Sequence, residues 1–294
     1  MSIQITTAFV QQYRANVDHL VQQKGSRLRS LVRAETQNAE FEFYDRIGAT
    51  EAQEVTGRHQ DTPLVNVPHD RRRVSLRDFD WADLIDRPDR IRMLIDPTSP
   101  YSQNAAFALG RKMDAVILDA AFGTVYTGKT GSSTVTFPSS QQIAVDYVES
   151  GAPANSGLTI AKLRKAKEIM DRNEVDPTER RYIALTAKQV TDLLKTTEVT
   201  NADYNTVKAL VAGEINTFMG FEFVRTELVR TNASSHRRLC AWAQSGLLVA
   251  VGADITVDIG PRRDKRNSTQ VYVSASFGAT RMEEEKVVEI ICAE

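Results

Sequence analysis

The chain has 294 residues, a formal net charge of −1, 41% hydrophobic and 26% charged residues, the balance of a soluble globular protein with one large domain or two small ones. That charge excludes a surface built throughout for nucleic acid, and apolar runs no longer than Leu247–Val251, or Val287–Cys292 with Glu289 inside it, fall far short of the ~20 residues that span a bilayer. Met1-Ser2-Ile3-Gln4-Ile5 has no basic segment followed by an apolar one, so no secretory signal is expected, and Cys240 and Cys292 read as reduced core thiols, not a disulfide framework.

In chain order, Phe9, Val10, Tyr13, Val17, Leu20 and Val21 recur three and four apart, which predicts an amphipathic helix over 6–22 ended by Gly25. Residues 35–75 are polar, with Glu35, Glu40, Glu42, Asp45, Glu51, Glu54 and Asp61 interspersed with Arg46 and Arg58, and they cannot build their own core. Alternation in Phe41-Glu42-Phe43 and in Val74-Ser75-Leu76-Arg77 predicts two strands flanking a loop, a two-stranded ribbon. An isolated ribbon is marginal in water, so a partner surface is expected.

An arginine-rich extended stretch, Arg71 to Trp81, then leads through turn signals at Asp96-Pro97 and Ser99-Pro100 into the strongest helix, Ser99 to Gly123. Ser99 fits the N-cap, Pro100 the first helical position and Gly123 the stop. Ala105, Leu109, Met113, Val116, Ile117 and Ala120 form its apolar stripe. Strands and turns are expected over 124–147 and a helix over Leu158–Arg172. A strand over Arg181–Leu185 follows, with a Thr186/Gln189 capping box opening another helix. Gly220–Val224 reads as a strand and Trp242–Val251 as a short helix. Ile255–Ile259 alternates, Gly260–Asn267 is a basic turn, and strands at Val271–Phe277 and Lys286–Ile291 close the chain. The class is α+β.

Chemistry-bearing motifs are weak. Gly123-Thr124-Val125-Tyr126-Thr127-Gly128-Lys129-Thr130 satisfies the phosphate-loop pattern, but that loop needs a strand before it and a helix after it. Here a helix precedes and a helix-poor Gly131–Thr136 follows, so a glycine-rich turn is expected. Asp78, Asp80, Asp83 and Asp86 lie among arginines and read as ion-pairing rather than as a hard-cation site. His236 and Cys240 are four apart and would share one side of a helix, but zinc needs three or four ligands. Arg71–Arg73 and Arg262–Arg266 favour ion pairs between subunits over sequence readout of nucleic acid. The expectation is no enzyme, no cofactor and no metal, with Glu54, Arg58, Arg71, Arg72 and Arg73 as candidate subunit-interface residues.

Three collinear segments resemble the major capsid proteins of tailed bacteriophages. The first is Asp61–Gly123, especially Thr62-Pro63-Leu64-Val65, Asp78-Phe79-Asp80-Trp81 and Asp96-Pro97-Thr98-Ser99-Pro100-Tyr101. The second runs from Tyr182-Ile183-Ala184-Leu185 through Asp203-Tyr204 and Gly213-Glu214 to Phe218-Met219-Gly220-Phe221. The third starts at Trp242-Ala243-Gln244-Ser245-Gly246 and ends at Phe277-Gly278-Ala279-Thr280-Arg281.

The resemblance implies a Hong Kong 97-like capsid fold: an N-arm over 1–34, an extended loop over 35–78 and a peripheral domain over 79–135 with spine helix 99–123. An axial domain over 136–266 and peripheral return strands over 267–294 complete it. It implies self-assembly into hexamers and pentamers of an icosahedral virion shell around double-stranded DNA, built in the host cytoplasm. Partners would be a separate scaffolding protein, a portal, a decoration protein and DNA by non-specific contact, with no membrane. An encapsulin-like compartment shell on the same fold, or a P-loop enzyme using Lys129 and Thr130, is the alternative. The chain has no lysine between Lys24 and Lys112, so no cross-link through a loop lysine is expected.

Overall fold

The computed structural model describes residues 20, 22–54, 56–57, 61, 64–86, 98–195 and 217–294. Apart from Leu20 and Gln22, the N-terminal helix expected over 6–22 lies outside these residues, as do the Asp96-Pro97 turn, Thr62-Pro63, Asp203-Tyr204 and Gly213-Glu214.

Successive strand side chains point to opposite faces, and Val271, Val273, Ala275 and Phe277 are accordingly all buried on one face. They belong to β13 (Ser268–Arg281), which with β1 (Arg33–Thr36), β12 (Leu247–Arg262) and β4 (Arg77–Ile85) forms a four-stranded sheet of order β1-β12-β13-β4. The basic turn falls at the β12–β13 hairpin, where Arg266 and Asn267 take positive φ of 53° and 56°.

Helix α1 (Thr98–Phe122) lies across this sheet, and its 25 residues make a rod of about 37 Å. Ala105, Leu109, Met113 and Ile117 are buried as expected; Val116 and Ala120 are only half-buried, and Asp114, Leu118 and Ala121 are buried instead. Gly123 is not a left-handed stop. Its N–H bonds the Asp119 carbonyl at 3.0 Å, and Arg281 Nη1 caps the helix by donating to the Ala121 and Gly123 carbonyls at 2.7 and 3.0 Å.

A six-stranded sheet has the order β7-β14-β11-β8-β10-β9. Its strands are β7 (Gln142–Ile143), β8 (Arg181–Leu185), β9 (Thr217–Phe218), β10 (Phe221–Arg225), β11 (Arg237–Ala243) and β14 (Val287–Cys292). Helix α2 (Ile160–Arg172) is capped by Thr159, whose side chain accepts from Lys162 N, and packs against β14 and β7. Helix α3 (Ala187–Leu194) carries the expected capping box, with Gln189 Oε1 accepting from Thr186 N at 3.0 Å. Trp242 ties this sheet to the N-terminal segment by donating from Nε1 to the Leu31 carbonyl at 3.1 Å.

Two expectations are corrected. Trp242–Val251 is not a helix: β11 ends at Ala243, a single 3-10 turn covers Gln244–Gly246, and β12 begins at Leu247. Leu247–Ala250 are buried almost completely, and a strand covered on both faces shows no alternation by which to tell it from a helix. Nor does residue 266 separate the sheets: β12 lies in the sheet beneath α1, whereas β14 lies in the six-stranded one. No helix among the described residues is long and apolar enough to cross a membrane.

Candidate functional site

The expected ribbon exists. Strands β2 (Phe41–Ile47) and β3 (His69–Ser75) pair antiparallel from Phe41↔Ser75 to Ile47↔His69. They continue through β5 (Val125–Thr127) and β6 (Ser133–Val135) into a sheet of order β2-β3-β5-β6. The register sorts side chains between two faces: Phe43 opposes Arg73 and Asp45 opposes Arg71 on one, Tyr44 opposes Arg72 and Arg46 opposes Asp70 on the other.

The inward face joins the ribbon to the body. Arg72 is 1% exposed, and its Nη2 donates to both carboxylate oxygens of Glu284 at 2.7 Å. Arg46 donates to the Met282 carbonyl at 2.6 Å and to Asp70 at 2.6 Å. Arg281, also buried, lies with Nε 3.5 Å from the same Glu284. Burial pulls the Arg72 and Arg281 guanidiniums below the usual arginine value, against the opposing pull of Glu284. Arg72 is therefore an internal anchor of the chain, turned inward by the strand alternation that places it opposite to its two neighbours.

The outward face keeps Arg71 and Arg73. Arg71 pairs with Asp45 at 3.0 Å and lies 5.4 Å above the Phe43 ring. Arg73 lies 5.0 Å from the Phe41 ring and 4.5 Å from the Tyr126 ring, distances at which a cation is attracted to an aromatic face. The β5–β6 turn must pass beneath Arg73 with glycine: Gly131 has φ +65°, and a Cβ there would meet Arg73 Cδ at 2.7 Å. Phe41, Phe43, Ile47 and Tyr126 remain exposed. Beyond the ladder, closed by Gly48 N–H to the Pro68 carbonyl at 2.9 Å, Glu54 is exposed and Leu64 is 91% exposed. Arg58 lies outside the described residues.

The other motifs resolve structurally. The phosphate-loop match is occupied by β5 and followed by β6, a strand where the loop would need a helix. Lys129 lines a cleft of about 390 Å³ together with Asp45, Asp70 and Arg71, so two carboxylates face its two cations. Asp78 and Asp86 accept from the hydroxyls of Ser276 and Ser268, both at 2.7 Å; Arg87, Arg90 and Arg92 lie outside the described residues. His236 and Cys240 do not share a helix, because Cys240 lies on β11. Among the described residues no group of three or more His, Cys, Asp or Glu side chains could hold a metal ion. At the basic hairpin Arg262 pairs with Asp264 at 2.6 Å.

Sequence reasoning missed two buried polar centres. Asp114, within the apolar stripe of α1, accepts from Arg27 N at 2.9 Å, Leu28 N at 3.1 Å, Ser26 Oγ and Gln23 Nε2. One turn earlier, a Cβ on Gly110 would meet the Gly25 backbone at 2.6 Å, so a strap at 23–28 crosses the helix in contact. Lys162 is buried, and its Nζ donates to the Val145, Ser156, Gly157 and Ile291 carbonyls at 2.8–3.0 Å. A charged residue inside an apolar stripe was the one available signal for Asp114; Lys162 gave none.

The profile of the family described as phage capsid protein matches residues 5–294. No curated protein resembles the chain closely enough in sequence to count as a relative. Among solved structures, the capsid of cyanophage P-SCSP1u is 16% identical at a TM-score of 0.74, with 98% of this chain and 94% of that one covered. The capsid of Ralstonia phage GP4 is 12% identical at 0.76, covering 96% and 94%. The capsid of a native GTA particle, treated with C5 symmetry, is 13% identical at 0.66, covering 100% and 98%.

Proposed function

The chain belongs to the phage capsid protein family and is a structural subunit of a phage head; from that premise we propose that it closes hexamers and pentamers into an icosahedral shell around double-stranded DNA. The observation that carries the reading is the ribbon. It is anchored at its root by Arg72 and Glu284, yet presents Phe41, Phe43, Ile47, Leu64, Val65 and Val67 to solvent. A monomer gains nothing from that apolar row, whereas a neighbouring copy would cover it.

In this reading the ribbon is the extended loop and α1 with its four-stranded sheet is the peripheral unit. The six-stranded sheet with α2 and α3 is the axial unit. Glu54, Arg58, Arg71 and Arg73 meet the adjacent subunit. The chain performs no catalysis; Lys129 and Thr130 belong to a surface turn. Scaffolding, portal and decoration proteins are its assembly partners, assembly takes place in the host cytoplasm, and DNA is met through its phosphates without base readout.

Electron microscopy of the large species isolated by size exclusion tests this. Closed shells, or rings of five and six, are expected, with nuclease-protected DNA in filled particles. A chain that stays monomeric beside its head partners overturns the reading, and so does a shell filled with an enzyme. Nucleotide binding abolished by Lys129→Ala would favour the phosphotransferase instead.

A further inference from the structure

The ribbon carries opposite charge at its two ends. At its root, Arg73 and Arg77 line a cleft of about 290 Å³ together with Tyr126, Thr124, Asp119 and Thr280. Asp119 is already paired with Arg230 at 2.9 Å, and among the described residues neither Arg73 nor Arg77 has a carboxylate partner. At the tip the sequence supplies three carboxylates, Glu51, Glu54 and Asp61, against the single Arg58. All three are exposed, and none has a cationic partner among the described residues. The apolar content matches as well: Leu64, Val65 and Val67 stand exposed near the tip, Phe41, Phe43 and Tyr126 near the root.

We propose that the acidic tip of one subunit's ribbon docks on the arginine–aromatic root of a second copy's ribbon, with Glu51 and Glu54 entering the cleft at Arg73 and Arg77. This rests on the shell reading above and adds the residues that pair. The tip does not serve its own root. Its described residues are exposed instead of folded back, and the ladder from His69 to Ser75 holds the two ends about 20 Å apart. Repeated from copy to copy, the contact neutralises at each root the charge left over at the previous tip. It also covers aromatic surface whose arginine partners already hold it flat.

The test is disulfide trapping in assembled particles. Glu54→Cys with Arg77→Cys places one thiol at each end, and both native cysteines are buried. Oxidised particles should give a non-reducing ladder at multiples of the chain mass, and either single variant no product beyond a dimer. Intact particles with no ladder, or with only an intrachain bond, overturn the proposal while leaving the shell reading standing; failure of the unmodified chain to form particles would sink that reading instead. Should the cysteine pair impair folding, charge exchange decides. Glu54→Lys should lower particle yield at least tenfold, and adding Arg77→Glu should restore most of it. Failure to restore overturns the pairing.

Discussion

Asp114→Ala removes the acceptor that holds the strap at 23–28 to the middle of α1. Asp114 is completely buried and is the acceptor for two backbone donors, Arg27 N and Leu28 N. Each buried donor left without an acceptor costs about 1–3 kcal/mol. Gln23 and Ser26 are partly exposed and can turn to water, so they add little. Leu28 N is buried and Arg27 N only partly so, and the expected loss is about 2–4 kcal/mol, a large share of the ~5–15 kcal/mol that typically holds a folded chain together. Asp114→Asn keeps the shape but offers an amide NH₂ to a site of donors, and should lose about half as much. Gly110→Ala presses a methyl group on the Gly25 backbone at 2.6 Å and should weaken the same strap without touching a hydrogen bond. Urea denaturation of the subunit gives the stability change, and limited proteolysis mapped to 20–32 shows whether the strap has lifted. A loss below ~1 kcal/mol with an unchanged cleavage pattern would refute the assignment of Asp114 as its anchor.

Glu284→Gln neutralises the carboxylate shared by Arg72 and Arg281; breaking a buried pair this way costs about 3–5 kcal/mol, and a urea midpoint unchanged from the parent would contradict it. For Asp70, burial pushes the carboxyl up, but the Thr127 hydroxyl and the Arg46 guanidinium outweigh this and hold it down at about 2, against an ordinary 3.8. A carboxyl lowered on folding contributes stability that is complete above its unfolded value and disappears as pH falls from about 4 to 2. Asp70 is more than a third exposed, so the effect is about 1 kcal/mol after solvent screening, and Asp70→Asn should flatten urea midpoints across that window and nowhere else. Burial pushes the Cys292 thiol up to about 12 and raises that of Cys240 further; mass spectrometry should find maleimide on neither thiol in the native protein and on both in urea. With no lysine between Lys24 and Lys112, mature particles should run as single chains on a denaturing gel, and a ladder linked through 35–78 would contradict this.

Local pattern was enough wherever one face of an element meets water. Alternation located β2 and β13, the capping box located α3, and the Ser99-Pro100 start and Gly123 stop located α1 to within a residue at each end, whereas the strand expected over Val74–Arg77 straddles the break between β3 and β4. It failed where both faces are buried, as at Leu247–Ala250, because such a segment has no polar side to give its period. The candidate interface divided for a geometric reason. Arg71, Arg72 and Arg73 look alike as composition, but a strand turns the middle one inward, where the distant Glu284 and the Met282 carbonyl receive it. Glu284, Asp114 and Lys162 share one difficulty: each needs at least one partner remote in sequence, Arg72 for Glu284, the strap at 23–28 for Asp114 and the Ile291 carbonyl for Lys162, and these meet only when sheets and helices have packed.

Glu284 has one mechanical consequence. It is gripped by Arg72 from β3 and by Arg281 from the end of β13, while Arg281 also grips the last carbonyls of α1. Ribbon, sheet and rod therefore meet at this one carboxylate, beside the Arg46–Met282 bond and the β3–β5 pairing. A pull on the ribbon bears on the same carboxylate that, through Arg281, meets the end of α1, the longest helix among the described residues.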